Sequence, residues 1–285
     1  MTDNRGEQLR AVAEQLAAEA AAFVRSRRAE IFGDGDDPIG SDSVQTKSTP
    51  TDPVTVVDTE TELLLRDRLA TLRPGDAILG EEGGGTAAGD AGTVCWAIDP
   101  IDGTVNFVYG IPAYAISIAA QIDGVSVAGA VADVVSGDVY SAASGQGAQV
   151  YSDGQRRSLG CSAVTDLSMA LVGTGFGYAP RRRAEQAALL AQLLPQVRDI
   201  RRVGSAALDL CMVAAGRLDA HYEHGLNVWD WAAGALVASE AGALAVLPPA
   251  TDSGADGPLT VVAAPGIAGA LIEALDRAGG LRPLP

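Results

Sequence analysis

The segment CWAIDPIDGT constrains the fold more than any other part of the sequence. Its apolar start predicts a buried strand with Asp99 at its end, and Pro100 opposes a regular helix or strand beyond it because proline lacks an N–H and has a fixed φ. The chain is therefore expected to turn, so that Asp99 and Asp102 face one concavity. Gly103 permits an unusual backbone angle, and the N–H groups that follow it are available to an anion. Two carboxylates beside an anion site predict a cation between them, although a simpler alternative is that both aspartates only cap a turn.

Length and composition indicate a globular protein with a sizeable core. The chain has 285 residues, of which 47% are hydrophobic and 20% charged, enough for one large unit or two packed units. The formal net charge of −16 argues against binding to nucleic-acid phosphates or anionic lipid, since such surfaces normally carry a basic patch. A small anionic substrate would need a metal or a local basic group.

The cysteines and the N-terminus predict a cytoplasmic location. Cys95, Cys161 and Cys211 have no CxxC spacing and lie among apolar neighbours, which is typical of buried thiols in a reducing compartment. The N-terminal residues lack the apolar core of a signal peptide, and no apolar run approaches the roughly 20 residues that span a bilayer. We therefore expect no membrane association.

The first half of the chain predicts helices and an antiparallel sheet. Apolar residues at three- and four-residue steps indicate an amphipathic helix over residues 6–31. A segment rich in Gly, Asp, Ser and Pro follows and predicts an exposed loop with Lys47 as its one basic residue. Thr59 and Glu62 have capping-box spacing and predict a second helix beginning there. Alternating apolar residues and Asp-Gly turns predict an antiparallel meander over residues 113–152.

The second half predicts alternating strands and helices, the pattern of a layered α/β unit. Helices are expected over residues 182–196, in RRVGSAALDLCMVAAG, in WDWAAGALVASEAG and after Pro265, with strands in ALVGTG, LDAHYE, ALAVL and LTVVAA. A linker is expected near residues 153–166. We predict an N-terminal α+β unit over residues 1–155 and a C-terminal α/β unit over residues 156–285.

Three further acidic residues each have a simple explanation when taken alone. Asp58 is favoured near a helix N-terminus, and Asp230 opens an apolar helix that it could cap. Glu81 ends the short apolar segment AILG ahead of a glycine-rich loop, where it is either a solvated loop acid or a metal ligand. Their combination with the two aspartates of DPIDGT suggests one shared site.

That combination closely resembles the inositol monophosphatase family of magnesium-dependent, lithium-sensitive sugar phosphatases. The matching motifs are GEE at 80–82, DPIDGT at 99–104 and WDWAAGALVASEAG at 229–242. The similarity runs from about Lys47 to Gly242 in the expected order, includes PVTVVD and GSAALDL, and is strongest to bacterial members. The resemblance implies a layered αβαβα fold, with an antiparallel N-terminal sheet and a mixed, partly parallel C-terminal α/β unit. It also implies a homodimer.

The resemblance assigns roles to the residues of the matching motifs. The metal ligands that it implies are Glu81, Asp99, the carbonyl of Ile101, Asp102 and Asp230. The catalytic residues that it implies are Lys47, Asp58, Glu81 and Thr104, of which Asp58 and Thr104 would act on the attacking water. The substrate-binding residues that it implies are Glu81, Ile101, Asp102, Gly103, Thr104, Arg201, Gly204, Ser205, Ala206, Glu223 and Asp230. Arg202 is adjacent to Arg201, and the choice between them stays open.

Charge and ligand chemistry favour magnesium. Two unit charges about 4 Å apart near a protein surface interact by roughly 4 kcal/mol, so converging carboxylates require a cation. The implied ligands are hard oxygens, and His221 and His224 lie outside the motifs, which favours Mg²⁺ over Zn²⁺ or Cu²⁺, with Mn²⁺ able to substitute. We expect two Mg²⁺ ions that share Asp99, and the resemblance implies a third near Glu81. The two histidines are expected to be structural.

The expected reaction is the Mg²⁺-dependent hydrolysis of a phosphate monoester, most directly of myo-inositol 1-phosphate to myo-inositol and phosphate. One alternative keeps the chemistry and changes the substrate to histidinol phosphate, fructose 1,6-bisphosphate or a 3′-phosphonucleotide, which relatives hydrolyse. The resemblance places substrate choice in residues 173–183 and 201–227, where GTGFGYAPRRR departs from the animal enzymes and leaves the choice of leaving group open. Another alternative is a regulatory protein that binds a partner and has incidental phosphatase activity. The acidic charge disfavours direct nucleic-acid binding but allows a protein partner.

Overall fold

The computed structural model describes residues 4–32, 44–46, 53–85 and 91–284. In these residues the α-helices are α1 (Asn4–Phe32), α2 (Val56–Leu72), α3 (Thr104–Tyr109), α4 (Pro180–Leu193), α5 (Ala206–Ala214), α6 (Val228–Glu240) and α7 (Pro265–Arg277). None of these helices combines the length and the apolar composition that crossing a bilayer requires.

The strands of the described residues form two large sheets and a small pair. The strands are β1 (Val44–Thr46), β2 (Pro53–Thr55), β3 (Ala77–Gly80), β4 (Gly84–Gly85), β5 (Val94–Asp102), β6 (Ala115–Ile122), β7 (Val125–Asp133), β8 (Val139–Ala143), β9 (Ala148–Ser152), β10 (Gln155–Ser158), β11 (Leu171–Thr174), β12 (Asp199–Arg201), β13 (Ala220–His224), β14 (Leu244–Val246) and β15 (Leu259–Ala263). The first sheet has the order β10-β9-β8-β7-β6-β5-β3-β4 and is antiparallel except where β3 runs parallel to β5. The second has the order β12-β11-β13-β15-β14, with β11 parallel to both neighbours and β15 antiparallel to its own.

The described helices and sheets form five layers, which pack against one another through three hydrophobic cores. Because successive strand residues face opposite sides of a sheet, Ile118 of β6 packs under α1 and α2 while Ala119 faces α5 and α6. Val262 of β15 belongs to the same core as α5 and α6, which places these helices between the two sheets. The far face of the second sheet packs on α4 and α7 through Leu189 and Leu271. The order helix, sheet, helix, sheet, helix confirms the αβαβα prediction.

The turn predicted at Asp123-Gly124 is confirmed as the β6–β7 hairpin. Both residues have positive φ, +51° and +78°, which is the conformation that tight two-residue hairpins require. The sheet also extends past the predicted end of the meander, because β10 pairs with β9 inside the segment that was expected to be a linker.

Two local predictions are wrong. The N-cap of α2 is Thr55, whose capping box is completed by Asp58, so the helix begins three residues before the predicted cap at Thr59. The chain does not leave the sheet at Pro100, because β5 continues to Asp102 with a shift in register against β6. A bulge therefore absorbs the proline, as bulges in sheets commonly do.

Candidate active site

A cavity of about 410 Å³ lies where the end of β5 meets the beginnings of α3, α5 and α6. Its acidic lining residues are Glu81, Asp99, Asp102, Asp209, Glu223 and Asp230. The sequence separates these residues by up to about half the chain, and the layered fold brings them together. Five of the six were predicted to share a site.

The bulge in β5 sets the two aspartates of DPIDGT. Asp99 is 1% exposed, and its Oδ1 accepts a hydrogen bond of 3.0 Å from the N–H of Ile101. Asp102 Oδ2 accepts hydrogen bonds from Ser205 Oγ at 2.6 Å and from the N–H of Ala207 at 2.7 Å. These contacts fix Asp102 against the first turn of α5 and explain why the GSA segment borders the same cavity.

Gly103 joins the bulge to α3 in a backbone conformation that other residues avoid. Its φ is +96°, and a Cβ atom there would lie 3.0 Å from the carbonyl oxygens of both Ala113 and Gly204. Asn106 Nδ2 donates hydrogen bonds to the carbonyls of Ala113 and Val203, at 2.7 and 2.9 Å. The start of α3 is thus held against the segment that precedes α5.

Asp58 and Thr104 form a buried hydrogen-bonded pair. Thr104 Oγ donates to Asp58 Oδ1 at 3.0 Å, and Thr55 donates to Asp58 Oδ2 through its N–H at 2.9 Å and through its hydroxyl. Burial, with repulsion from Glu81 and Glu82, outweighs the hydrogen bonds from Thr55 and raises the pKa of Asp58 to about 7. A carboxyl group with such a pKa can exchange a proton near neutral pH.

Glu81 is placed by a neighbouring glutamate rather than by its own strand alone. Glu62 of α2 is 2% exposed and accepts hydrogen bonds from the N–H groups of Glu82 at 2.7 Å and Gly83 at 2.8 Å. Arg66 Nε donates to the same carboxylate at 2.8 Å. The turn that carries Glu81 is therefore fastened to α2, a role for Glu62 that replaces the predicted capping box.

Asp230 occupies the first turn of α6 and caps that helix. Its Oδ2 accepts a hydrogen bond of 2.7 Å from the N–H of Asn227, which completes a capping box. Asp230 therefore takes part in the capping box and also lines the cavity, so the capping explanation does not exclude a place in the site.

Burial and neighbouring acids raise the pKa of Asp99, Asp102 and Asp230. Burial comes first, followed by repulsion from Glu81 and the other acids, and together they raise the pKa of Asp99 and of Asp230 well above the usual range. For Asp102, burial and repulsion exceed the effect of the hydrogen bonds from Ser205 and Ala207 and raise the pKa to about 6. The folded chain therefore concentrates negative charge at a cost that a bound cation would remove.

The donor set suits a hard divalent cation. Within residues 4–32, 44–46, 53–85 and 91–284, no group of three or more His, Cys, Asp or Glu side chains is positioned as a formed metal-binding group. The fit rests instead on the chemistry of the cavity lining, in which Glu81, Asp99, Asp102 and Asp230 supply carboxylate oxygens. Carboxylate oxygens are ligands that Mg²⁺ prefers, and the bound cation would also relieve the repulsion between these acids.

The remaining predicted residues divide into three groups. Ile101, Gly204, Ser205, Ala206 and Glu223 line the cavity with the acids. Arg202 also lines it, whereas Arg201 pairs with Asp199 on β12, so the structure favours Arg202 over Arg201 for the site. Lys47 lies outside the described residues.

Sequence reasoning missed four residues that support the site: Glu62, Asn106, Asp209 and His221. No local signal identifies Glu62 or Asn106, because the contacts that tie them to the site, with Glu82 and Val203, join residues 20 and 97 positions apart. His221 and Glu223 are two residues apart in a predicted strand, a spacing that places both on one face and could have linked them.

A family model and several known proteins match this chain. The model of the inositol monophosphatase family matches residues 6–278. The Inositol-1-monophosphatase of Mycobacterium leprae (strain TN) is 68% identical over 285 residues, which cover 99% of this chain and 98% of that protein. The solved structure of Mycobacterium tuberculosis SuhB superposes with a TM-score of 0.82 at 58% identity, covering 98% of this chain and 100% of that one. The Nus factor SuhB of Vibrio cholerae serotype O1 (strain ATCC 39315 / El Tor Inaba N16961) is 39% identical over 194 residues, 68% of this chain and 71% of that protein.

Proposed function

The chain belongs to the inositol monophosphatase family and is a phosphatase, and on that premise we propose that it hydrolyses myo-inositol 1-phosphate to myo-inositol and phosphate in a Mg²⁺-dependent reaction. The observation that carries the proposal is the single cavity in which Glu81, Asp99, Asp102 and Asp230 meet beside the Asp58–Thr104 pair. The name of the Mycobacterium leprae relative supports inositol 1-phosphate over the other phosphate esters.

We assign the metal ligands to Glu81, Asp99, the carbonyl of Ile101, Asp102 and Asp230. When bound, Mg²⁺ supplies neutralisation of these acids, polarisation of the phosphate ester and a lowered pKa for coordinated water. The chain contributes a fixed orientation for the acids, since hydrogen bonds from Ser205 and Ala207 hold one oxygen of Asp102 in place.

The Asp58–Thr104 pair is the proposed general base. Thr104 donates its hydroxyl hydrogen to Asp58 and keeps oxygen lone pairs that can accept a proton from the attacking water. Because the pKa of Asp58 is raised to about 7, its carboxylate can accept the proton that Thr104 passes on. Burial, with a smaller contribution from Glu81 and Glu82, thus makes Asp58 a stronger base than an ordinary aspartate.

The phosphate and alcohol parts of the substrate are assigned to different residues of the cavity lining. The N–H groups at Gly103 and Thr104, in the first turn of α3, are suited to phosphate oxygens. Glu223 is suited to accept hydrogen bonds from the hydroxyls of the alcohol, and Arg202 adds positive charge to the cavity lining.

The test is inorganic phosphate release from myo-inositol 1-phosphate, with and without Mg²⁺, by the wild-type protein and by Asp102→Asn. The substitution changes little volume but replaces a charged ligand by a neutral one. We expect activity to require Mg²⁺ and to fall at least about 100-fold in the variant, as loss of preorganised charge stabilisation commonly does. Asp252→Asn, which makes the same chemical change at an exposed position, is the control. Unchanged turnover in Asp102→Asn at equal folded content would refute the ligand assignment.

Three further properties belong to the same proposal: binding of two or three Mg²⁺ ions, inhibition by Li⁺ and assembly as a homodimer. Metal titration by calorimetry, phosphate release with added LiCl and the mass in solution by light scattering check them separately. Mn²⁺ in place of Mg²⁺ should sustain activity, because both ions accept oxygen ligands.

The Nus factor among the relatives favours one second candidate, the binding of a protein partner. This function does not require the acids of the cavity to be charged. Capture of the same partner by wild type and Asp102→Asn would therefore separate it from catalysis, whereas the phosphatase proposal concerns activity alone.

A further inference from the structure

A buried histidine lies behind Glu223, between that residue and a second acid. His221 of β13 is 0% exposed, with its Nδ1 atom 3.6 Å from Asp209 Oδ2 and its Nε2 atom 3.4 Å from Glu223 Oε2. Asp209, on α5, is 1% exposed. Burial of three ionisable side chains in contact is costly unless their charges are matched, which suggests a function for the group.

The second sheet is shaped to accept this group. Gly173 of β11 pairs with His221, and a Cβ atom at Gly173 would lie 3.1 Å from His221 Nδ1 and 3.2 Å from Asp209 Oδ1. A Cβ atom at Gly175 would lie 2.1 Å from both carboxylate oxygens of Glu223. Two glycines two residues apart therefore leave the volume that the histidine and the glutamate occupy.

Strand alternation separates this group from the rest of β13. His221 and Glu223 share the face toward α5, while Tyr222 packs in the core formed with α4 and α7. His224 faces the other way as well, with its Nε2 atom 2.7 Å from the carbonyl oxygen of Gly280. His221 is thus the histidine whose ring reaches an acid of the cavity lining.

The charges around His221 favour its cationic form. Burial alone would lower its pKa, but the adjacent Glu223 and Asp209, with Asp102 farther away, raise the pKa above its ordinary value. From the other packed elements, β11 presents Gly173 and β15 presents Val262, neither of which carries charge. Burial raises the pKa of Asp209 to about 7, although His221 and Arg202 act against this rise.

We propose that His221, with Asp209 beside its other ring nitrogen, is a positioning residue that orients the Glu223 carboxylate toward the hydroxyl groups of the substrate's alcohol part. The inference rests on the proposed function and adds a determinant of substrate selection to it. His221 itself is fully buried and acts through Glu223. The imidazole ring lies between Asp209 and Glu223, with Nε2 3.4 Å from Glu223 Oε2, and therefore restricts the orientations that the Glu223 carboxylate can take.

The test compares two phosphate esters in wild type and His221→Gln, which keeps hydrogen-bonding groups but cannot be charged. Myo-inositol 1-phosphate presents hydroxyls to Glu223, whereas p-nitrophenyl phosphate presents none. We expect kcat/KM for the inositol ester to fall at least about tenfold, mainly through KM, because a site built to bind hydroxyls loses discrimination when its acceptor is misplaced. For p-nitrophenyl phosphate, kcat/KM should change less than about twofold, since its binding uses none of these contacts.

Matched variants make the outcome decisive. Tyr222→Phe removes one hydroxyl from the same strand on its opposite face, and the ratio of kcat/KM for the two esters should stay at the wild-type value. In a Glu223→Gln background, His221→Gln should lower that ratio no further, because both act through one carboxylate. Asp209→Asn should shift the ratio in the same direction as His221→Gln. It is the variant to test if His221→Gln does not fold.

Equal losses on both esters, or an unchanged ratio in a folded His221→Gln protein, would overturn the inference. Failure of the proposed function would give a different result, because the wild-type protein itself would then release no phosphate from the inositol ester in the presence of Mg²⁺.

Discussion

The hydroxyl of Thr104 lies 3.0 Å from Asp58 Oδ1 and 3.0 Å from the carbonyl oxygen of Ile101. A hydroxyl has one hydrogen to donate, so it can serve only one of these acceptors at a time. Donation to Asp58 makes the pair a proton relay, while donation to Ile101 leaves Asp58 with its contacts to Thr55. The chemistry of the site depends on this choice of partner.

Thr104→Val should therefore lower kcat with little change in KM. Valine has nearly the same shape but has no hydroxyl, and loss of a positioned proton acceptor typically costs about 10²- to 10⁴-fold. Steady-state phosphate release from myo-inositol 1-phosphate measures both constants. Thr71→Val, an exposed position on α2, is the matched control and should leave both unchanged. A larger rise in KM than fall in kcat would instead assign Thr104 to substrate binding.

Neighbouring arginines show how one residue's place in a strand decides its role. Arg201 is the last residue of β12, and its guanidinium contacts Asp199 of the same strand. Arg202 follows immediately, outside the strand, and lines the cavity. The sequence contains both residues in one RR pair, so the choice required knowledge of where β12 ends.

At the scale of the element, α2 supports the cavity with residues from two of its turns. Asp58 near its start pairs with Thr104, and Glu62 one turn later accepts hydrogen bonds from the turn that carries Glu81. A Cβ atom at Gly80 would lie 2.4 Å from the Glu62 carboxylate, so this close approach requires glycine. One helix thereby aligns the proposed base with a proposed metal ligand.

Glu62→Gln should weaken Mg²⁺ activation more than it weakens folding. The substitution leaves an amide nitrogen facing N–H donors, which loosens the turn of Glu81, and changes behind a metal ligand typically cost about 10- to 100-fold in metal affinity. The measurement is the Mg²⁺ concentration for half-maximal activity, alongside the free energy of unfolding in urea.

Glu60→Gln on the same helix is the control. Glu60 pairs with Arg27 at the half-exposed surface, where a salt bridge contributes only about 0–1 kcal/mol. Its Mg²⁺ requirement should match that of the wild type. If both variants shift the requirement equally, Glu62 has no special role in holding Glu81.

The elements predicted correctly from sequence are those specified by local chemistry. The hairpin at Asp123-Gly124 needs only a pair of residues that accept positive φ. The start of α2 was misassigned because Thr55 and Thr59 each have an acid three residues later, and only the structure shows which box forms. Pro100 was read as a strand end because a bulge depends on the partner strand β6, which the local sequence does not reveal.

Over the whole molecule, the site is a product of the layer order. The central helices α5 and α6 contribute Asp209 and Asp230, while the two sheets that enclose them contribute Asp99 and Glu223. Five of the six acids were identifiable because their motifs resemble a known family, whereas Asp209 was missed. The arrangement behind them was not identifiable, because contacts such as the one between Asp102 and Ser205 join residues 103 positions apart.

Because the site brings several buried acids together, the stabilisation of the fold by Mg²⁺ should depend on pH. A carboxyl group whose pKa rises on folding binds more protons in the folded than in the unfolded chain, so it destabilises the fold as pH rises from the unfolded pKa of about 4 through the folded pKa. The folded pKa is about 6 for Asp102, and it is raised well above the ordinary range for Asp99 and Asp230. Mg²⁺ requires the deprotonated acids and therefore competes with these protons.

The increase in Tm on replacing EDTA by excess Mg²⁺ should consequently be larger at about pH 8 than at about pH 5, since the acids hold protons at the lower pH. Thermal unfolding across this range measures it, and comparison at each pH cancels the titration of groups remote from the site. Calorimetric titration in two buffers of different ionisation enthalpy should also show proton release on Mg²⁺ binding at neutral pH. Asp102→Asn removes one of these protons and should reduce both effects. A pH-independent increase in Tm without proton release would mean that Mg²⁺ binds away from the buried acids.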